Sequence, residues 1–155
     1  VNNFSFILQG TNQRAVAQAR SYSQSFTSIF GTNVPPSYID LGHFVQLAAQ
    51  AAGESRVTQA AEGVLDALEK AVVAEKHGSK KPGATGISIY FPNSQLYANA
   101  VSGYRSYVGL ASRFATASLW DEFLAYHYTG RQFDSGAANL QAEGGNSAWQ
   151  STAGP

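Results

Sequence analysis

The sequence predicts a mostly α-helical fold with one or two β-strands. Apolar residues recur at helical spacing through most of the chain, and glycine or Asn/Ser breaks separate the periodic segments. Residues 86–92 differ, because apolar and polar side chains alternate there. The alternating residues are Ile87, Ser88, Ile89, Tyr90 and Phe91. A lone strand leaves backbone N–H and C=O groups unpaired, so we expect it to pair with strands outside this chain.

Composition narrows the function classes. The 155 residues carry ten basic and ten acidic side chains, so no net charge attracts nucleic acid. No apolar run approaches the ~20 residues that cross a bilayer, and no signal peptide is visible. Cysteine is absent, which excludes a disulfide, a thiolate nucleophile and a cysteine metal site. The chain starts at Val1 and lacks methionine, so we expect a processed chain.

The N-terminal region is predicted to contain a helix, preceded by a short segment whose secondary structure the pattern does not decide. Residues 1–8 are apolar enough for a short strand or a packed segment. A cap signal at residues 10–12 opens a helix that is expected to end at Gly31. Its expected inward residues are Val16, Ala19, Tyr22 or Ser23, Phe26, Ile29 and Phe30.

Two further helices are predicted before the strand. Ser37 is expected to cap the first of them, with Asp40 three residues later near its positive end, and Gly53 ends it. Its expected inward residues are Leu41, Phe44, Val45, Ala48 and Ala52. The next helix is expected to end at Gly78. Its apolar stripe is Val57, Ala61, Val64, Leu65, Leu68, Ala71 and Val72, and the cations near its end are Lys76 and His77.

A basic loop, residues 78–85, leads into the strand. We interpret the basic stretch from Lys76 to Lys81, which overlaps this loop, as a solvated loop, with a protease-sensitive site and a weak phosphate patch as alternatives. After the strand comes a tyrosine-rich helical region that Gly103 and Gly109 interrupt. Ser118 is expected to cap a last helix, with Asp121 at its third helical position.

The C-terminal region changes character. The last helix is expected to end at Gly130, and residues 131–155 lose all periodicity. The sequence therefore divides into a helical and strand region, residues 1–130, and a Gly/Ala/Ser-rich linker or docked arm, residues 131–155.

No catalytic or metal-binding pattern emerges from the residues. His43, His77 and His127 lack metal-ligand spacing, and no nucleophile elbow is present. We interpret His77 as a helix-end cation and the other two as hydrogen-bonded or partly exposed helix residues. We interpret Asp121 and Glu122 as acidic residues that complement the positive N-terminus of a helix. We interpret the tyrosines as core residues, with a surface that stacks on bases or sugars as the alternative.

Three motifs nevertheless match a known family in their order. They are Gly-Ile-Ser-Ile-Tyr-Phe-Pro at residues 86–92, Leu-Ala-Ser-Arg-Phe-Ala at 110–115 and Ser-Leu-Trp-Asp-Glu-Phe-Leu-Ala-Tyr at 118–126, after a helix that opens with Asp40 and Leu41. Across residues 14–130 the chain resembles the C-terminal part of the clostripain family of cysteine endopeptidases. These caspase-like enzymes of clan CD cut proteins and peptides after Arg or Lys.

The resemblance implies a supporting part of a larger enzyme. The main sheet of the caspase-like α/β/α sandwich, and the catalytic Cys and His, would lie on an N-terminal chain of the same precursor. No catalytic residue carries over, and the substrate-binding residues and the metal sites stay unassigned on this chain. The resemblance further implies a two-chain heterodimer, a secreted or periplasmic location and possible dependence on calcium, although no acidic cluster here has calcium-loop spacing.

Other functions stay open. The helix content and the missing catalytic pattern also fit a non-enzymatic helical interaction module, or a homologue whose catalytic half is inactive. An autonomous hydrolase that uses His and Ser is a third hypothesis.

Overall fold

A computed structural model describes residues 1–26 and 35–136. These residues form a mostly helical fold with a small antiparallel sheet, which confirms the predicted mostly-α class. The helices are α1 Asn2–Gln9, α2 Gln13–Tyr22, α3 Leu41–Ala52, α4 Ser55–Ala71, α5 Ser94–Ala98, α6 Tyr104–Leu110, α7 Ser112–Ala117 and α8 Trp120–Thr129. The strands are β1 Ser25–Phe26, β2 Tyr38–Asp40 and β3 Ser88–Tyr90.

The sheet corrects the expectation that the strand finds its partners outside this chain. The strand order is β1-β2-β3, and both pairings are antiparallel. Ile39 of β2 faces Ile89 of β3, and both side chains are buried on the side of the helices. No sequence pattern indicates β2, because three residues after a proline pair are too few to show alternation.

The starts of several elements also differ from the predictions. The undecided N-terminal segment is the helix α1, and α2 ends at Tyr22, so Phe26 lies in a strand. Ile29, Phe30 and Gly31 lie outside the described residues. Asp40, and not Ser37, is the N-cap of α3, because β2 continues up to it.

Two predicted helix ends also move. The helix α4 ends at Ala71, so Lys76 and His77 lie in the following loop and do not face a helix terminus. The helix α8 begins after Leu119 without a side-chain cap, which places Asp121 second in the helix. Gly53 and Gly130 end their helices in the left-handed conformation, as predicted.

One aromatic cluster joins the helices to the strand. The rings of Phe44, Phe91, Trp120 and Phe123 are all fully buried and meet edge to face or tilted at centroid distances of 5.1 to 6.1 Å. Aromatic pairs in this geometry stabilise by about 0.5–1.5 kcal/mol beyond their buried area. The cluster connects α3, α8 and the end of β3 into one core.

Candidate functional site at the open edge of the sheet

The strand β3 has one paired edge and one open edge. Leu41 donates its amide to Ile87 O at 2.9 Å, and the Phe91 amide donates to Ser37 O at 2.9 Å. In this register the backbone groups of Ile87, Ile89 and Phe91 face β2, and those of Ser88 and Tyr90 face outward. Within residues 1–26 and 35–136 no strand pairs with that outer edge.

Side chains donate hydrogen bonds to the last three carbonyl groups of this segment. The Trp120 indole donates to Tyr90 O at 2.7 Å, and Arg20 Nε donates to Phe91 O at 2.9 Å. The Tyr128 hydroxyl donates to Pro92 O, the next carbonyl along the chain. Three consecutive buried carbonyls are thus satisfied inside the chain, and only the start of β3 stays accessible.

The accessible part of β3 borders a cleft of ≈ 380 Å³. The cleft extends across the sheet, since its lining includes Phe26 of β1, Asp40 of β2 and Ser88 of β3. Ile87, just before β3, also lines it, and Glu75, Lys76 and His77 lie on the loop opposite. Ile87 has a large apolar side chain that is 37% exposed. An exposed apolar side chain beside unpaired backbone groups suits the addition of a strand from a partner.

Asp40 fixes the loop that runs along this cleft. Its carboxylate accepts the His43 amide at 3.0 Å as the N-cap of α3. The same carboxylate accepts the Thr85 amide at 2.7 Å and the Thr85 hydroxyl at 2.6 Å. Gly42 is required there, because a Cβ on it would lie 2.4 Å from the Thr85 hydroxyl oxygen. Asp40 therefore sets where the chain turns into β3.

The three histidines lie apart from one another. His43 accepts the Gln24 amide at Nδ1, at 3.1 Å, so it is a hydrogen-bonded helix residue as predicted. His127 is also hydrogen-bonded, with Nδ1 2.7 Å from Gln13 Oε1. Burial, with a smaller effect of Arg20, lowers the pKa of His127 to about 4. His77 is exposed in the loop and contacts a Glu75 carboxylate oxygen at 2.9 Å.

A second group of polar side chains surrounds the start of α8. Asp121 is 8% exposed, and the Tyr104 hydroxyl lies 3.4 Å from its Oδ2. Burial first, and then the hydrogen bond and the charge of the neighbouring Glu122 carboxyl, together raise the pKa of Asp121 to about 7. Burial and a second carboxyl group nearby both disfavour the charged form of a carboxyl group. This pair lies at the N-terminus of a helix, where the sequence placed it.

The described residues bring neither a cysteine nor a metal-ligand group to this site. The sequence contains no cysteine, and the described part of the chain brings no three His, Asp or Glu side chains together around a metal ion. No sequence pattern identifies Arg20, Asp40 and Trp120 as anchors of β3, because their roles depend on contacts between distant segments.

Comparison with protein-family models, curated proteins and solved structures found no match to this chain. Among the described residues no helix is both long and apolar enough to span a membrane.

Proposed function

We propose that this chain is the C-terminal scaffold of a clostripain-like cysteine endopeptidase, whose catalytic Cys and His lie on an N-terminal chain of the same precursor. The observation that supports this most directly is the contact between the two most specific motifs of the resemblance. Trp120, from the Ser-Leu-Trp-Asp motif, donates to the backbone of Tyr90 in the strand motif at 2.7 Å. The two motifs thus form one structural unit that leaves the outer edge of β3 open.

The open edge gives the proposed partner a place to bind. A strand added there would pair with the outward N–H and C=O groups of Ser88 and with the N–H of Tyr90. It would also cover Ile87, and full burial of such a side chain stabilises by about 1.5–3 kcal/mol. The chain would then hold the catalytic part in place, while cleavage after Arg or Lys occurs on that partner.

Because β3 pairs with β2, the proposed partner contributes less to the burial of β3 than the sequence suggested. Ile89 and Phe91 are buried by this chain alone, so their burial no longer depends on a foreign sheet. The partner would therefore contact only the outer edge of β3 and the exposed side chain of Ile87. The motifs and the open edge are therefore what support the proposed docking. From the same resemblance we further propose that the whole enzyme is exported and depends on calcium.

The proposed docking can be tested by Ser88→Pro in the complete precursor. Because the Ser88 amide faces outward, proline removes a hydrogen-bond donor from the open edge and leaves the pairing with β2 in place. We expect association with the Cys- and His-bearing chain to weaken about tenfold or more. The measurement is the dissociation constant of the two chains, with hydrolysis of Arg and Lys amide substrates as a second readout.

Ser88→Thr is the matched control, because it keeps the amide donor and changes the same exposed side chain. It should bind the partner as the natural chain does. Intact-mass analysis of the native protein provides the direct check of the proposed partner. If no chain with Cys and His accompanies this one, or if Ser88→Pro binds that chain unchanged, the proposed docking is wrong.

The structure also favours one alternative, a non-enzymatic helical interaction module. Its supporting observation is the aromatic core around Phe91 and Trp120, which is built from residues of this chain. A module of this kind would use the same open edge to bind a protein with no hydrolase activity. The copurifying chain separates the two functions, because only the peptidase proposal requires Cys and His on it.

A further inference from the structure

The segment between α4 and β3 is the longest one without helix or strand among the described residues. Residues 73–80 are all exposed, and Val73 reaches 99% exposure. Residues 73–77 make no backbone hydrogen bond to any other described residue. An endopeptidase cuts exposed, locally open segments most readily, so such a segment fits its cleft after little unfolding.

Most basic residues of the chain are protected from cleavage by their place in a helix. The helical ones are Arg14, Arg20, Arg56, Lys70, Arg105 and Arg113. Cleavage after any of them requires local unfolding of a helix. The four basic residues outside helices are Lys76, Lys80, Lys81 and Arg131.

The adjacent basic residues Lys80 and Lys81 would be the obvious cleavage site from the sequence, but Lys81 is held in place by hydrogen bonds. The Lys81 amide donates to Gly78 O at 2.9 Å in a turn, and its ammonium donates to Ser25 O on β1. The bond after Lys80 therefore has a fixed residue on its C-terminal side. The bond after Lys81 precedes Pro82, whose ring and missing N–H prevent the extended pairing that a protease requires.

Arg131 is held in a different way. Two residues later, Phe133 exchanges hydrogen bonds with the Gln9 side chain, at 2.8 Å through its amide and 3.0 Å through its carbonyl. Its ring packs edge to face on Phe6 at 6.3 Å. The residues after Arg131 are thus fixed to α1 and cannot extend freely into a protease cleft.

We propose that the Lys76–His77 peptide bond is a processing site for an endopeptidase that accepts Lys before the cut bond. Hydrolysis adds one water, which leaves a carboxylate on Lys76 and a new ammonium group on His77. All eight residues around this bond, 73–80, are exposed. The cut also divides one wall of the cleft beside β3, because Lys76 and His77 both line it.

The two pieces stay assembled after this cut. Strand β2 lies on the first piece and β3 on the second, and their pairing continues across the nick. The carboxylate of Asp40 on the first piece binds Thr85 on the second. Phe44 likewise contacts Phe91 and Trp120 in the core. This inference goes beyond the proposed function and does not depend on it, because any Lys-specific endopeptidase tests it.

The test is limited digestion of the native full chain with a Lys-specific endopeptidase, followed by intact-mass analysis over time. The first fragments should be residues 1–76 and 77–155, and they should elute together on a native sizing column. Lys76→Gln should slow the first cut about tenfold or more, since the next available bond needs a local opening. Lys80→Gln, at another exposed lysine four residues away, should leave the first cut unchanged.

Several results would overturn the inference. One is a first cut after Lys80 or Arg131 in the natural chain. Another is separation of the two fragments under native conditions. Equal slowing by Lys76→Gln and Lys80→Gln would also be decisive, because it would show that the loop is cut without preference.

Discussion

At the scale of single residues, Asp121 makes the folded state sensitive to pH. Its carboxyl is buried at the start of α8 beside Glu122 and the Tyr104 hydroxyl. Burial raises its pKa from 3.8 to about 7, so the folded protein binds a proton there that the unfolded chain releases. The resulting stabilisation is complete below about pH 4 and is lost as the pH rises to about 7.

Asp121→Asn should remove this dependence. Asparagine keeps the size and a hydrogen-bond acceptor but does not titrate. We expect the free energy of unfolding of the natural protein, relative to the variant, to fall between pH 5 and pH 7 by up to about 1.4 kcal/mol per pH unit. Urea unfolding of both proteins at several pH values measures it, and a difference that stays constant with pH would contradict the prediction.

The comparison with the variant matters because His127 acts in the opposite direction. Burial lowers the pKa of His127 to about 4, so its contribution to stability rises as the pH increases from 4 to 6.5. This contribution is present in both proteins and cancels in their difference. Asp66→Asn, on the exposed surface of α4, is the matched control and should change stability little at any pH.

At the scale of elements, the end of β3 is held by side chains from two helices. Arg20 comes from α2, and Trp120 and Tyr128 come from α8. Each donates to a backbone carbonyl, so the strand is fixed where its ladder with β2 ends. This arrangement explains how a three-residue strand can hold a defined position between helices.

Tyr128→Phe tests this anchoring with a single atom removed. The change leaves the buried Pro92 carbonyl without its donor, and we expect a loss of about 1–2 kcal/mol in the free energy of unfolding. Denaturant unfolding measures the loss. Tyr22→Phe removes the same hydroxyl from a side chain that is 69% exposed and should change stability by less than about 0.5 kcal/mol. Equal effects of the two variants would show that the hydroxyl of Tyr128 does not anchor β3.

At the scale of the whole molecule, the chain provides a core without a partner. The Phe91 ring lies at its centre, in contact with rings from α3 and α8. We therefore expect the isolated chain to unfold in one cooperative transition, whether or not a catalytic chain binds it. Stability alone does not separate the two proposed functions, and only the identity of the partner does.

Phe91→Ala tests the importance of this core. Loss of a fully buried ring typically costs about 3–5 kcal/mol, which is a large part of the stability of a domain of this size. The midpoint of denaturant unfolding should fall accordingly. Val73→Ala, at a side chain that is 99% exposed, should leave the midpoint nearly unchanged. A small effect of Phe91→Ala would mean that the core does not depend on the strand.

The sequence was informative where a pattern repeats over several turns. The stripe of α4 is an example, since Val57, Ala61, Val64 and Leu68 are all buried as predicted. It was uninformative for β1 and β2, because strands of two or three residues have no period to detect. It also placed Lys76 and His77 at a helix end, because the helix stops before the glycine that suggested its end.

By itself, the sequence determined the helical class, the position of β3, the absence of a cysteine nucleophile and the motifs that carry the resemblance. These depend on local periodicity and on residue identity. Only the tertiary structure decided that β3 pairs inside the chain on one edge and that no strand of residues 1–26 or 35–136 pairs with its other edge. That outcome depends on β2 and on Asp40, Arg20 and Trp120, which lie far from β3 in sequence and meet it only when the core packs.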